Sequence, residues 1–167
     1  GIYTSQFYAI DGQINTMSGY GGQNSLGLYA AYSADISGAV LWGVGGERYA
    51  GTGGLTKSSS GVLSKNLTIT AGSVSALGGT SSNRSFGINV ENCNIAGGTL
   101  ITMAEDAPSE SGGLSSLAEM NITDGSLIAV GGASDKSYGI VSLFGDVMLD
   151  GGAILYACCT LDILPLS

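Results

Sequence analysis

At 167 residues, the chain is long enough for one domain with a sizeable core and too short for two ordinary ones. Glycine is abundant at 29 and proline scarce at 2, yet 44% of residues are apolar, which excludes a disordered glycine-rich linker and describes a chain built to fold. With a net charge of −8 and only 5 Lys and Arg in all, it lacks the clustered cations that nucleic acid or an anionic membrane surface would require.

Read in chain order, the sequence repeats itself. A glycine followed by an apolar residue opens each copy, at Gly1-Ile2, Gly27-Leu28, Gly61-Val62, Gly87-Ile88, Gly113-Leu114 and Gly139-Ile140, with spacings of 26, 34, 26, 26 and 26. A second glycine recurs near the middle of each copy, at Gly12, Gly38, Gly72, Gly98, Gly125 and Gly152. Two residues past it stand Ile14, Val40, Val74, Leu100, Leu127 and Ile154, which the spacing predicts to point inward. Fixed periods of this length indicate a solenoid.

Before the second glycine the residues alternate: Leu67 and Ile69, Cys93 and Ile95, Met120 and Ile122, Val147 and Leu149 are apolar, with Thr68, Asn94, Asn121 and Met148 between them. Period two over short runs rich in Ile, Val and Leu is a strand signature, and the frequent glycines disfavour helix. The best helical candidate, "LSSLAEM" at 114–120, sits in a slot that is strand-like in every other copy. We therefore expect an all-β, right-handed parallel β-helix (β-solenoid) of about six coils of about 26 residues, filling residues 1–167 as a single domain. Each coil should hold about three short strands, and neighbouring coils should stack at about 4.8 Å.

Two departures mark one edge. The spacing of 34 reflects an insertion within "ERYAGTGGLTKSSS" after Gly46, and the fourth coil replaces its Gly-Gly turn with "AEDAPSES" at 104–111. Solenoids commonly place binding function on such an edge. The candidate ligand contacts there are Trp42, Glu47, Arg48 and Tyr49, with Glu105 and Asp106 across two coils, an aromatic surface beside polar groups of the kind sugars use. Tyr3, Tyr8, Tyr20, Tyr29 and Tyr32 crowd the first two coils, and we expect several of them to fill a wider interior or to cover the open end.

No apolar run is long enough to span a bilayer, and no secretory leader is visible; the start at Gly1 without Met suggests a processed or excised chain. Cys93, Cys158 and Cys159 form neither a disulfide framework nor a zinc pattern, so free thiols are expected, with Cys93 acting as a small apolar residue in an interior ladder.

With the repeat laid out, "YGI" at 138–140 together with "NITDGSLIAVGG" at 121–132 resembles right-handed parallel β-helix domains of the pectin-lyase-like type. More narrowly, it is similar to the repetitive adhesin-like or carbohydrate-binding surface proteins of gut bacteria. The resemblance implies an extracellular or cell-surface module, usually part of a longer secreted chain, with glycans or host and cell-surface proteins as partners.

The fold also hosts polysaccharide-degrading enzymes, which is the alternative. Hydrolases of this kind use clustered Asp and usually a His, and this chain has no His. Lyases of this kind use Ca²⁺ with an Arg or Lys base, and the chain offers Arg48, Arg84, Lys57, Lys65 and Lys136. Asp124 and Asp150, stacked before the mid-repeat glycines, are read as turn residues. We therefore expect a non-enzymatic module for adhesion or glycan contact, or a stalk, with no catalytic residue, cofactor or metal. Finally, if the strand after the second glycine points Val74, Leu100 and Leu127 inward, the next residues point outward. Leu41, Ile101, Ile128 and Leu155 would then face outward, and Ile101, Ile128 and Leu155 of three consecutive coils would form an outer apolar stripe, a contact surface suited to self-association.

Overall fold

A computed structural model describes residues 1–19, 24–46 and 57–159. The chain order is β1 (Ile2–Ala9), β2 (Gln13–Met17), β3 (Asn24–Val44), β4 (Ser58–Gly78), β5 (Arg84–Ala104), β6 (Glu110–Ser116), β7 (Met120–Gly131), β8 (Ser137–Ser142), β9 (Val147–Leu149) and β10 (Ile154–Cys159). Every pairing is parallel and joins one coil to the next. The molecule is a right-handed parallel β-solenoid, with about 5 turns of about 27 residues. None of the described residues is helical; 114–120 runs from β6 through a bend to the start of β7.

Each coil was expected to break into three strands. In the second, third and fourth coils the pairing instead continues around the bends, so β3, β4 and β5 each run 21 residues. The side chains still define three faces. On the first, Ile2, Leu28, Val62, Ile88, Leu114 and Ile140 are in register, as the glycine spacing requires. On the second, Leu67, Cys93, Met120 and Val147 form one inward ladder and Ile69, Ile95, Ile122 and Leu149 another. All but the terminal Val147 and Leu149, which no further described coil covers, are buried. Period-two side chains stacked at the interstrand spacing thus fill the interior with aliphatic columns.

The third face corrects two inward assignments. The observed ladder is Ile14, Leu41, Val74, Leu100, Leu127 and Leu155, not Val40 and Ile154. Leu41 is fully buried, and Val40 is 46% exposed. The cause lies upstream. The second coil carries one extra residue at its first corner, where the register shifts between Ala30 and Ser33. A one-residue bulge inverts every side chain that follows. The first coil lacks this extra residue, so Ala9 pairs inward with Ile36 and Tyr8 pairs outward with Asp35, one step off the spacing of 26 that joins Ile2 to Leu28. In the last coil Gly151, not Gly152, takes the left-handed conformation (φ 64°), and Leu155 pairs with Leu127. By register Leu155 therefore continues the inward column, although at the end of the described stack it is 37% exposed, and Tyr156 takes the outer place beside Ile128.

The corner between the second and third faces needs glycine at Gly72, Gly98 and Gly125, whose φ values are 89°, 82° and 96°. A side chain at Gly98 would also meet the Gly72 carbonyl oxygen at 2.7 Å. The Asp residues before such corners act as turn residues: Asp11, Asp124 and Asp150 each accept a bond from the following glycine N–H at 2.7 Å.

A second ladder, of hydroxyls, closes the corner between the third and first faces. Ser25, Ser59, Ser85, Ser111 and Ser137 are in register two residues before each opening glycine. Gly46, Gly79 and Gly132 donate backbone N–H groups to Ser25, Ser59 and Ser111 at 2.8, 2.9 and 2.7 Å. Ser59 and Ser111 in turn donate to Gly46 and Glu105 carbonyls of the preceding coil. The Ser85 hydroxyl is buried and has no partner among the described residues. Its coil ends in Ala104-Glu105 instead of Gly-Gly, and the Glu105 N–H is taken by the Gly78 carbonyl.

Candidate functional site

The second face presents its outer residues in one column: Tyr8, Asp35, Thr68, Asn94, Asn121 and Met148. Alternation sets this, since each lies between two inward apolar residues. Beside it runs a corner column containing Gln6, Ser33, Asn66 and Asn92. The two columns border an open groove of about 330 Å³ lined by Asn66, Thr68, Asn92, Asn94, Glu119 and Asn121, with Leu67 and Cys93 beneath.

The corner amides are pre-set by a chain of hydrogen bonds. Asn66 Nδ2 donates to the Tyr32 carbonyl, and Asn92 Nδ2 donates to Asn66 Oδ1, both at 2.9 Å. Asn94 stands exposed and Asn121 half-buried. An amide offers donors and an acceptor on one planar group, so a rigid bank of amides suits a ligand rich in hydroxyls. Glu119 is exposed and is, among the described residues, the one carboxylate lining the groove. Its backbone carbonyl fixes the local bend by accepting from Cys93 N at 3.0 Å and from Ser116 Oγ at 3.1 Å. Beneath the groove, burial pushes the Cys93 thiol up from its ordinary 9.0 to about 12. Cys93, Cys158 and Cys159 are all free.

Other sequence-derived candidates fall elsewhere. Glu47, Arg48, Tyr49 and Tyr20 lie outside the described residues. Trp42 is on the third face, 46% exposed. The Glu105 carboxylate accepts from Thr80 N and Thr80 Oγ1 at 2.9 and 2.6 Å, and Asp106 accepts from Ala133 N at 2.8 Å. These two carboxylates thus tie their turn to the coils on either side. Glu110 faces Arg84 at 3.4 Å. Of the tyrosines expected to fill or cover the first coils, Tyr3, Tyr8 and Tyr32 are more than 60% exposed, and Tyr3 and Tyr29 rings lie 5.3 Å apart.

None of the groove residues was among the candidate ligand contacts; Thr68, Asn94 and Asn121 were read only as outward positions between inward apolar ones. The signal for the amides was present as recurring asparagine in "KNLT", "NCN" and "EMN" at equivalent places in successive copies. Among the described residues, no three His, Cys, Asp or Glu side chains are placed to hold a metal ion, and no helix is long and apolar enough to cross a membrane.

The third face differs from the second in chemistry. Its outer columns are Gln13, Val40, Ser73, Thr99, Ser126 and Ile154, then Asn15, Trp42, Ser75, Ile101, Ile128 and Tyr156, then Met17, Val44, Leu77, Met103, Val130 and Cys158. None of these residues is charged, and every one is exposed or half-buried. The expected stripe is present in Ile101 and Ile128, with Trp42 and Tyr156 in the places assigned to Leu41 and Leu155.

Comparison with protein-family models, with curated proteins and with solved structures finds no match.

Proposed function

We propose that this chain is a non-enzymatic, extracellular or cell-surface β-solenoid module that contacts glycans through the amide groove of its second face, acting in adhesion or at the end of a stalk. The observation that carries this is the bank of Asn66, Asn92, Asn94 and Asn121 beside Thr68 along one open groove. Sugar recognition depends on hydroxyls meeting groups that both donate and accept, held in advance by a rigid frame. The resemblance of the repeat to adhesin-like and carbohydrate-binding bacterial surface proteins supports the location. Against a polysaccharide hydrolase or lyase stand the missing histidine and the use of Asp124 and Asp150 as turn caps.

A glycan array of plant and host polysaccharides tests the proposal. Binding is expected, and Asn94→Ala with Asn121→Ala should weaken it about tenfold, two hydrogen bonds of modest net strength being lost. Release of reducing or unsaturated sugars would instead make the protein an enzyme. Glycan binding that the double variant leaves intact would move the site off this groove.

A further inference from the structure

The third face is built unlike the rest of the surface. Segments 13–17, 40–44, 73–77, 99–103, 126–130 and 154–158 supply five residues from each coil, and none of them is charged. The whole chain carries 18 charged side chains (5 basic and 13 acidic). The absence of charge, with Trp42, Tyr156, Met17 and Met103 exposed, matches the composition of a protein-contact core and not of open surface.

From this we infer that the third face pairs with the third face of a second copy of this chain. A flat sheet packs best on another sheet, face to face at about 10 Å. A dimer uses the same patch twice, so the patch must complement itself. A two-fold axis in the contact plane, parallel to the strands, reverses the order of coils and sets each column against its own inverse. The central outer column runs Asn15, Trp42, Ser75, Ile101, Ile128, Tyr156. Under this operation Asn15 meets Tyr156, Trp42 meets Ile128, and Ser75 meets Ile101. The smallest side chains thus face large ones, and Trp42 and Ile128 form the apolar centre of each half. Among the described residues the charged groups stay at the corners and on the other faces, so their approach buries none of these charges.

The area sets the strength. Six rungs at about 4.8 Å and five residues at about 3.3 Å give roughly 29 by 16 Å, or about 900 Å² in plan over two copies. That lies at the threshold of a specific interface, so the dimer is weak and depends on concentration.

The experiment uses the full chain under reducing conditions, which keep Cys158 and Cys159 from cross-linking. Mass by sedimentation is followed from micromolar to submillimolar protein, together with the emission of Trp42, the only tryptophan. Mass should rise from monomer to dimer, with emission moving to shorter wavelength in step. Ile128→Glu should remain monomeric throughout, and Met148→Glu on the second face should associate as the parent does. If Ile128→Glu fails to fold by circular dichroism, the dilution series on the parent chain decides alone. Four results overturn the inference: monomeric mass at every concentration with Trp42 exposed; association with no change in Trp42 emission, which places contact elsewhere; Trp42 shielded in a monomer, which makes residues 160–167 or another part of the same chain the cover; and a folded Ile128→Glu that associates as tightly as the parent.

Discussion

The second and third faces of this solenoid share one construction and carry opposite surfaces. Beneath both run columns of buried aliphatic residues in parallel register, Ile69-Ile95-Ile122 under one and Val74-Leu100-Leu127 under the other. Above them the second face shows Asp35, Thr68, Asn94 and Asn121, and the third shows Trp42, Ser75, Ile101 and Ile128. In a strand the two sets of side chains point apart, so the outer set varies without disturbing the inner one. Fold and surface chemistry are therefore written in alternate residues of the same segments.

The largest expected effect tests the inner set. Ile95→Asp places an unpaired charge in a fully enclosed column and should cost several kcal/mol, enough to unfold the domain. Asn94→Ala, one residue away and exposed, should shift the urea midpoint little. Equal effects would mean that the second face has no inside.

The third face gives a smaller version of the same contrast. Leu100→Ala should cost about 2–5 kcal/mol, since its column is tightly enclosed. Ile128→Ser, at 37% exposure, should cost well under half of that by thermal melting at a protein concentration low enough to keep the chain monomeric. A loss at Ile128 as large as that at Leu100 would mean that something covers the outer column even in the monomer.

The serine ladder offers a finer contrast at the corner that ends the third face. Ser59→Ala leaves the buried Gly79 N–H without its acceptor and should cost about 1–3 kcal/mol. Ser85→Ala removes a buried hydroxyl that has no partner among the described residues, so it should be neutral or stabilising. Urea melts of the two variants side by side distinguish them, and equal losses would show that Ser85 is satisfied after all.

The last contrast shows itself only at alkaline pH. Burial raises the Cys93 thiol from 9.0 to about 12, so above pH 9.0 the unfolded chain gives up this proton while the folded chain keeps it. This contribution to stability is fully present below pH 9.0 and falls as pH rises toward about 12. Comparing the parent with Cys93→Ala across that window isolates it, since the variant should lack this part of the slope. In thiol labelling, Cys158 and Cys159 should react in the native state and Cys93 only on unfolding.

How much of this could be read from the residues varies along the chain. From Ser58 to Val130 the repeat keeps nearly constant spacing, and the inward assignments of Leu67, Ile69, Cys93, Ile95, Met120, Ile122, Val74, Leu100 and Leu127 all match the structure. In the second and last coils the glycine spacing misled by one residue, at Val40 and at Ile154. The glycines there look equivalent in sequence, yet Gly38 does not take the left-handed conformation that Gly72, Gly98 and Gly125 do. The groove was half legible: Asn94 and Asn121 follow from alternation, whereas Asn66 and Asn92 sit at a corner where period two has lapsed.

By itself, the sequence determined the solenoid and its columns, because burying one apolar residue in every two, at a repeat set by glycine, leaves stacked parallel coils as the way to satisfy both the core and the backbone. Which way a side chain points after a corner was decided only by the tertiary structure. An extra residue at Ala31–Tyr32 can bulge outward or be absorbed, and pairing with the neighbouring coil selects between them. That choice buried Leu41 and turned Trp42 out. It also brought Asn66 to Asn92 across 26 residues of chain, a contact between side chains that no local pattern encodes.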